Sequence, residues 1–348
     1  MKYTLHRWIT LLTVLLLLCC ICVPAGAASL KSAAKAEGEL IVYGSVSEYY
    51  LAEVCARFEK KYGIHVTRYH LSAGEAIALA HDGSGADVWF GGSVASYEAA
   101  RMSGLLQPYT AKNASNLLDA SYQDPDGAWY GIGRTVLALL VNTSLLDQKN
   151  LSVPKKWADL TKSKYKGLIC VPSCYSSSAG RFFAMTMGQK MGDQKGLTYL
   201  RKLDRNVGVY TRSNTGPISQ VVNATSAIGI CYLQDALFQV IDLGQENLRA
   251  VLPSDGVGHD LQAAAIFAGA KHPNAARLWM EFVLTPECYR LGFQWGEYRL
   301  PVLKGVTLPK AMKSLNTKPN ASFPVYTDND FLQKVQNKLN PEDPRLEY

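Results

Sequence analysis

The sequence predicts an α/β fold in which helices cover both faces of a parallel sheet, with enough chain for two domains. Two observations carry this prediction. The chain has 348 residues, which suffices for two domains of ordinary size. Apolar, strand-like runs also alternate with amphipathic, helix-like runs over its first hundred residues. With 48% hydrophobic and 19% charged residues, the composition is globular and excludes both a disordered chain and a polytopic membrane protein.

The N-terminal part shows this alternation most clearly. In the first predicted helix, apolar residues recur at three- and four-residue spacing until Gly63, a helix stop signal. Ser72 followed by Glu75 is a capping-box pattern that opens a second helix. Strands are predicted over residues 39–44, 64–71 and 86–92, and helices over 48–62, from 72 onward and over 94–104.

Beyond residue 124 the alternation loosens. A turn is predicted at 124–127, followed by a short glycine-punctuated segment at 129–133. Further buried strands are predicted over residues 136–142, 168–171, 227–233 and 263–267, with helices following residues 175–180 and running from about 272 to 283.

The N-terminal segment has the three parts of a secretory signal peptide. Lys2 and Arg7 precede an apolar run over residues 8–23, and Ala25-Gly26-Ala27 supplies the small residues of a cleavage site. We therefore expect residues 1–27 to be removed. An uncleaved anchor and a lipoprotein are the alternatives, the latter because cysteines follow a leucine run. No other segment approaches the roughly 20 apolar residues of a membrane span, so we expect a periplasmic mature protein.

Charge and motifs exclude several functions. The chain has 36 basic and 29 acidic residues, a net charge of +7, and loss of the two basic signal residues leaves +5. Because this excess forms no basic block or basic–aromatic stripe, we expect no nucleic-acid partner. Hydrolase, zinc-protease, P-loop and dinucleotide motifs are absent, and the six histidines are dispersed. We therefore expect neither enzymatic activity nor a cofactor.

Five cysteines follow the signal segment, and an odd number leaves at least one outside any intramolecular disulfide. Cys55 and Cys231 lie within apolar patterns, so we expect both in the core. Cys170 and Cys174 are the only close pair. Their spacing allows a local disulfide or two inert thiols, whereas zinc would need two further ligands nearby.

Small and hydroxyl-bearing residues recur where predicted strands end and helices begin. In parallel α/β sheets ligands bind at these strand ends, where helix N-termini present free N–H groups to anions. Each residue alone is explained by a helix cap or a turn, but their recurrence predicts a polar cleft lined by helix starts. They occur at residues 44–45, 72–74, 91–93, 176–178 and 213–215.

Charged residues near these positions have two interpretations each. Asp235 follows a predicted strand, and it either caps the next helix or accepts hydrogen bonds from ligand hydroxyl or amino groups. Asp255, between Ser254 and Gly256, has the same alternatives. Arg134 and Arg212 are either solvated surface residues or bidentate partners of a carboxylate or phosphate.

Several strings resemble one family. Phe58-Glu-Lys-Lys-Tyr-Gly-Ile-His-Val66, Ser72-Ala-Gly-Glu75 and Ala86-Asp-Val-Trp-Phe-Gly-Gly92 resemble the extracellular solute-binding proteins of ABC importers, in the ferric-iron-type subgroup. Within it, the third string is most similar to the sugar-phosphate, phosphoglycerate and aminoethylphosphonate binders. Further similar strings lie at residues 157–160, 165–168, 227–230, 253–256 and 269–276, so the resemblance covers about residues 38–300.

The resemblance implies a type II periplasmic-binding-protein fold, with two α/β lobes around a ligand cleft joined by two crossover segments. We place the crossovers near Arg134 and Pro253. The lobes would close on a ligand by hinge rotation and then dock on a membrane permease. The implied organisation is residues 28–134 plus 254–312 for lobe 1 and residues 135–253 plus 313–348 for lobe 2.

The resemblance also implies ligand-binding positions. Gln234 replaces the histidine of the family's His-Asp pair, Asp255 stands where relatives have glutamate, and Gly133 stands where relatives have an aromatic residue. Arg134, the residue after Gly133, would be an additional anion contact. The implied set is Ser45, Ser72, Gly74, Gly92, Ser93, Arg134, Ser177, Ser178, Ser213, Thr215, Asp235 and Asp255.

These residues favour a small anionic ligand, an organic phosphate or phosphonate, bound by a monomer that delivers it to an ABC permease. The alternative is ferric iron, which family members bind through adjacent tyrosines late in the chain. Tyr49-Tyr50 is the only tyrosine pair here, and it lies in the first predicted helix. Hydroxyls and helix starts outnumber carboxylates around the predicted cleft, which disfavours iron.

Overall fold

The structure is a computed structural model. It describes residues 29–83, 85–313, 315, 322–338, 343 and 345–347. The predicted signal peptide, residues 1–27, lies outside the described residues. Within them, no helix has the length and apolar character needed to cross a bilayer.

Strands and helices alternate along most of the chain. The strands are β1 (Glu39–Ser45), β2 (His65–His70), β3 (Val88–Ser93), β4 (Leu106–Gln107), β5 (Tyr130–Asn142), β6 (Ile169–Pro172), β7 (Val207–Thr211), β8 (Ile228–Tyr232), β9 (Leu248–Val251), β10 (Val257–Phe267), β11 (Ser322–Pro324) and β12 (Leu346–Glu347). The helices are α1 (Leu30–Glu37), α2 (Glu48–Tyr62), α3 (Ala73–His81), α4 (Val94–Met102), α5 (Thr143–Gln148), α6 (Ser178–Met191), α7 (Asp193–Asp204), α8 (Gly216–Val222), α9 (Leu233–Ile241), α10 (Pro273–Val283), α11 (Pro286–Leu291), α12 (Lys310–Lys313) and α13 (Asn329–Gln336).

The strands of the described residues join into one mixed sheet. Along its main path the order is β12-β7-β6-β8-β5-β10-β3-β1-β2. Strands β1, β2 and β3 pair in parallel, as do β6, β7 and β8, which agrees with the parallel sheet predicted from the alternation. Between these halves β5 and β10 run antiparallel to each other and to their outer neighbours. The sheet is therefore parallel at both ends and antiparallel in the middle.

Local signals set the element boundaries in the first part of the chain. Helix α2 has the predicted bounds and ends at Gly63, whose φ of 67° is left-handed. Helix α3 opens with the predicted capping box between Ser72 and Glu75. The segment at 129–133 differs from its prediction, because it continues into the long strand β5. Burial on both faces of that strand removes the alternation that would have marked it.

Buried apolar side chains form two clusters. The first draws on residues 34–132 and 261–303, and the second on residues 136–257 with Tyr298, Leu300 and residues 312–335. The change from one cluster to the other falls inside β5, between Ile132 and Val136, and inside β10, between Val257 and Leu261. Two long strands thus connect the clusters, while the assignment of every residue to a lobe stays a prediction.

The five cysteines of the described residues are all buried, and no disulfide joins any two of them. Cys55 and Cys231 lie in the core as predicted. Burial raises the pKa of the Cys55 thiol to about 12 and that of Cys174 to about 11. These thiols are therefore poor nucleophiles at neutral pH.

Candidate functional site

A cavity of about 410 Å³ opens at the carboxyl ends of β1 and β8. Ser47 lines it from the first cluster's side, and the starts of α8 and α9 line it from the second. The turn after α11 closes a third side. Its lining residues are Ser47, Thr215, Ile218, Ser219, Gln234, Asp235, Phe238, Gln239, Trp295, Gly296 and Glu297. Another cavity, of about 270 Å³, lies against α9 and β9, and none of the predicted ligand-binding residues lines it.

On the first side, the predicted residues of β1, α3 and β3 meet. A Cβ added at Gly92 would lie 3.4 Å from Cβ of Ser45 and 3.7 Å from Cβ of Ala73, which places the ends of β1 and β3 beside the start of α3. The φ of Gly92 is 87°, so this approach needs glycine. The Ser45 hydroxyl accepts a hydrogen bond from Trp89 Nε1 at 3.0 Å, which orients it.

Ser72 and Gly74 lie at the start of α3 and are exposed. The Ser72 Oγ accepts a hydrogen bond from Glu75 N at 3.3 Å, so it serves as the helix cap. No atom lies within 4 Å of a Cβ added at Gly74. Both residues thus border open space beside Ser45 and Gly92.

On the second side, donors from Ser177 and from the first two residues of α6 converge on one oxygen. Asn214 Oδ1 accepts from Ser177 Oγ at 2.6 Å, Ser178 Oγ at 3.1 Å and Ala179 N at 3.0 Å. The loops meet because β6 and β7 are parallel neighbours, so their carboxyl ends share one sheet edge. The helix start that the sequence predicted as an anion site therefore holds an amide oxygen of the protein itself.

Ser213 and Thr215 flank Asn214 in the same loop. The Ser213 Oγ accepts from Gly216 N at 2.9 Å and so caps the short helix α8. Thr215 lines the cavity and is exposed. The structure thus brings the predicted pairs Ser177–Ser178 and Ser213–Thr215 to neighbouring loops.

Asp235 and Glu297 line the cavity, and the charge of Arg299 acts on Asp235 and on Asp260. Burial is the main cause that raises the pKa of Asp235 to about 6, and the Glu297 carboxylate raises it further while Arg299 lowers it. Burial likewise raises the pKa of Asp260 to about 6. A hydrogen bond from Ser93 Oγ at 2.7 Å and the charge of Arg299 both lower this pKa and so oppose the effect of burial. This end of the cleft is rich in hydrogen-bond acceptors.

Of the predicted residues, only Thr215 and Asp235 line this cavity, and Arg134 and Asp255 make hydrogen bonds elsewhere in the fold. Arg134 is only 2% exposed, and its guanidinium donates to Ser322 Oγ at 2.6 Å and to the Pro301 carbonyl at 2.8 Å. It therefore ties β5 to the chain segments beside it. The Asp255 carboxylate accepts from Trp157 N at 3.0 Å, in the loop before β10.

Sequence reasoning missed Asn214, Asp260, Glu297 and Arg299. Asn214 was within the singled-out 213–215 motif, although only its neighbours were chosen. Asp260 pairs with Thr135 across the antiparallel strands β10 and β5, and this register carries no local sequence signal.

The raised pKa values predict that stability depends on pH. Near pH 6 the folded protein binds protons at Asp235 and Asp260 more tightly than the unfolded chain, whose aspartates titrate near 3.9. The contribution of these two residues to the free energy of unfolding should therefore fall as pH rises from about 4 to about 6. We expect Asp235→Asn and Asp260→Asn each to lose less stability over that interval than the wild type in urea titrations. Parallel pH profiles for all three proteins would contradict this assignment.

The tyrosine pair of the iron alternative does not form one site. Tyr49 is 72% exposed and stacks on Trp295 at a ring-centroid distance of 5.8 Å. Tyr50 is buried, and this burial raises its pKa well above the ordinary value. Among the described residues, no group of three or more histidine, cysteine, aspartate or glutamate side chains is placed to hold a metal ion.

The fold and the position of this cleft define a class of binding proteins. Residues 85–334 match the model of the bacterial extracellular solute-binding protein family, and the chain belongs to that family. Its members capture small solutes outside the cytoplasm and work with ABC permease subunits. The predicted type II fold with two lobes is confirmed by solved structures of such proteins.

Three relatives place the chain within this class. An uncharacterised protein of Haemophilus influenzae is 26% identical over 290 residues, which cover 81% of this chain and 83% of that protein. The periplasmic binding protein AfuA from Actinobacillus pleuropneumoniae, solved with exogenous fructose-6-phosphate bound, is 25% identical with a TM-score of 0.61. The match covers 86% of this chain and 97% of AfuA. The ferric binding protein from Campylobacter jejuni is 20% identical with a TM-score of 0.65, covering 85% and 94%.

Proposed function

We propose that this protein is the substrate-binding protein of an ABC importer for a small organic phosphate or phosphonate. The observation that carries the proposal is the convergence of Ser177 Oγ, Ser178 Oγ and Ala179 N on a single acceptor oxygen. A phosphate oxygen needs such a set of donors at the N-terminus of a helix. The ligand would displace the Asn214 amide oxygen and take over its hydrogen bonds.

The hydrogen-bond energies at the start of α6 favour a negatively charged ligand. A hydrogen bond to a charged group contributes about 1.5–3 kcal/mol, against about 0.5–1.5 kcal/mol for a neutral one. Replacing the neutral amide oxygen of Asn214 with a phosphate oxygen strengthens every bond in the set. With the Thr215 hydroxyl as a further donor, the gain supports micromolar binding, about −8 kcal/mol, after the cost of closing the lobes.

The rest of the cleft supports a ligand with two chemically different ends. Asp235, Asp260 and Glu297 are acceptors that suit ligand hydroxyl or amino groups. The same carboxylates beside the phosphate would repel it. The phosphate end therefore lies at the start of α6, and the polyol or amino end lies toward Asp235.

The resemblance to AfuA supports the same ligand class, since that protein is solved with fructose-6-phosphate. Ferric iron as the cargo is less well supported. Fe(III) prefers anionic oxygen donors, and Tyr49 and Tyr50 point to different surroundings, one solvent-exposed and one buried. The ferric-binding structures are no more than 20% identical, so they support the fold alone.

The proposed role also leads to expectations about export, location and lobe closure. We propose that residues 1–27 direct export and are cleaved after Ala27, that the mature protein acts in the periplasm as a monomer, and that closure about β5 and β10 presents the loaded form to the permease. Lobe 1 comprises residues 28–134 plus 254–312, and lobe 2 residues 135–253 plus 313–348. The Ser45, Ser72–Gly74 and Gly92–Ser93 positions would reach the ligand from lobe 1 on closure.

Calorimetry with matched compounds tests the function. We expect fructose 6-phosphate to bind at least tenfold more tightly than fructose, or 2-aminoethylphosphonate more tightly than 2-aminoethanol, because the phosphorus group supplies the anion. Native mass spectrometry of protein purified without refolding would show any retained ligand by its mass. Equal affinity within both pairs would contradict an anion site, and a tyrosinate-to-iron absorption band after ferric loading would favour the iron alternative.

A further inference from the structure

The Arg299 side chain packs against a glycine of β5. A Cβ added at Gly133 would lie 3.1 Å from Arg299 Cδ and 3.3 Å from Arg299 Cβ, closer than most Cβ contacts in proteins. Gly133 lies in β5, one of the two strands that connect the apolar clusters. The missing side chain at position 133 therefore makes room for the arginine stem.

Arg299 is held in place through its guanidinium group and through its backbone carbonyl. Its Nη2 lies 2.6 Å from Glu297 Oε2, and the two side chains are only 11% and 8% exposed. Its carbonyl oxygen accepts from the Tyr289 hydroxyl at 2.9 Å. Glu297 uses its other oxygen to accept from Ser47 N at 3.3 Å, on the opposite wall of the cavity. The arginine thus fixes a carboxylate that lines the proposed ligand site.

The same charge acts on both neighbouring aspartates. Arg299 lowers the pKa of Asp235 and of Asp260, which burial otherwise raises. The other groups that face them are Glu297, which opposes ionisation of Asp235, and the Ser93 hydroxyl, which favours ionisation of Asp260. The Tyr232 side chain lies close to both carboxylates. The positive charge of Arg299 therefore favours the ionised form of both carboxylates.

We propose that Arg299 is a positioning residue for ligand selection: it fixes Glu297 on the cleft wall and supplies the positive charge that lets Asp235 and Asp260 accept hydrogen bonds from a ligand's hydroxyl or amino groups. Its role in selection rests on the proposed function, whereas its effect on the carboxylates does not. Gly133 is needed for this arrangement, since a larger side chain there would displace the arginine.

The first test uses the ligand-free protein. Carboxyl-carbon NMR titrations would compare the wild type with Arg299→Gln and Arg299→Lys. We expect Arg299→Gln to move the midpoints of Asp235 and Asp260 upward by about one pH unit, because an opposite charge is lost. Arg299→Lys should keep them near the wild-type values. Unchanged midpoints in Arg299→Gln would overturn the inference whatever ligand the protein binds.

A variant that leaves every charge in place keeps the inference testable if Arg299→Gln does not fold. Gly133→Ala adds one methyl group against the Arg299 stem, so we expect a smaller upward shift of the same two midpoints. Unchanged midpoints in Gly133→Ala, beside an unfolded Arg299→Gln, would assign Arg299 to stability alone and overturn the inference.

The second test separates ligand selection from general damage to the cleft. At pH 7 we expect Arg299→Gln to lower the affinity for fructose 6-phosphate about threefold, because raising midpoints near 6 by about one pH unit cuts the ionised fraction of each aspartate about twofold. Inorganic phosphate has no distal hydroxyls, so its affinity should not change. An equal loss for both probes would show that Arg299 only maintains the cleft. If neither probe binds the wild type, the proposed function fails, and the NMR titration still decides the effect of Arg299 on the carboxylates.

Discussion

Replacing Asn214 with aspartate should abolish most binding of a phosphorylated ligand while raising the melting temperature of the ligand-free protein. The amide oxygen of Asn214 already accepts from Ser177 Oγ, Ser178 Oγ and Ala179 N. A carboxylate at the same place would take these donors as a charged acceptor and would interact favourably with the N-terminus of α6. It would also repel an incoming phosphate.

The expected loss of affinity is about hundredfold, or roughly 3 kcal/mol, since at least two charge-assisted bonds are denied to the ligand. Calorimetry with fructose 6-phosphate and a thermal melt of the apo protein measure the two effects. Asn150→Asp, in an exposed turn that does not line the cavity, adds the same charge and should change neither strongly. Wild-type affinity in Asn214→Asp would mean that the anion binds elsewhere.

Replacing Asp87 with alanine should produce a large loss of stability. Asp87 is fully buried, and its carboxylate accepts from Ile41 N at 2.7 Å and from His272 N at 2.8 Å. The His272 ring Nδ1 lies 2.9 Å from the same carboxylate. One side chain therefore joins β1, the start of β3 and the start of α10.

We expect Asp87→Ala to cost about 3–5 kcal/mol, because it leaves two buried N–H groups and a histidine without their acceptor. Asp87→Asn keeps one acceptor oxygen and should cost about half as much. Guanidinium unfolding measures both, with Asp82→Ala as the control because Asp82 is exposed at the end of α3. A cost near that of the control, within about 0.5 kcal/mol, would contradict this role.

Asp87 and Asn214 show that a sequence motif and the tertiary structure can point to different residues. Asp87 belongs to the string that most resembles sugar-phosphate binders, yet its hydrogen bonds stabilise the fold and none of its atoms lines the cavity. Asn214 stood between two residues chosen for their hydroxyls, and it is the one that occupies the point where the donors converge. Resemblance identifies a family through its framework, while the ligand contacts depend on neighbours in space.

The sequence by itself determined the α/β class, the bounds of α2, the capping box at Ser72 and the concentration of hydroxyls at strand ends. These features depend on contacts between residues at most four apart, or on the two-residue period of a strand, so the local pattern is sufficient.

Only the tertiary structure decided which charged residues share the cleft. Asp260 is placed by the antiparallel pairing of β10 with β5, and Arg299, whose charge acts on it, has room because Gly133 carries no side chain. Arg134 is turned away from the cavity by hydrogen bonds to residues more than 160 positions later. Such contacts are set by strand register and by the packing of distant segments, and no short-range spacing in the chain encodes them.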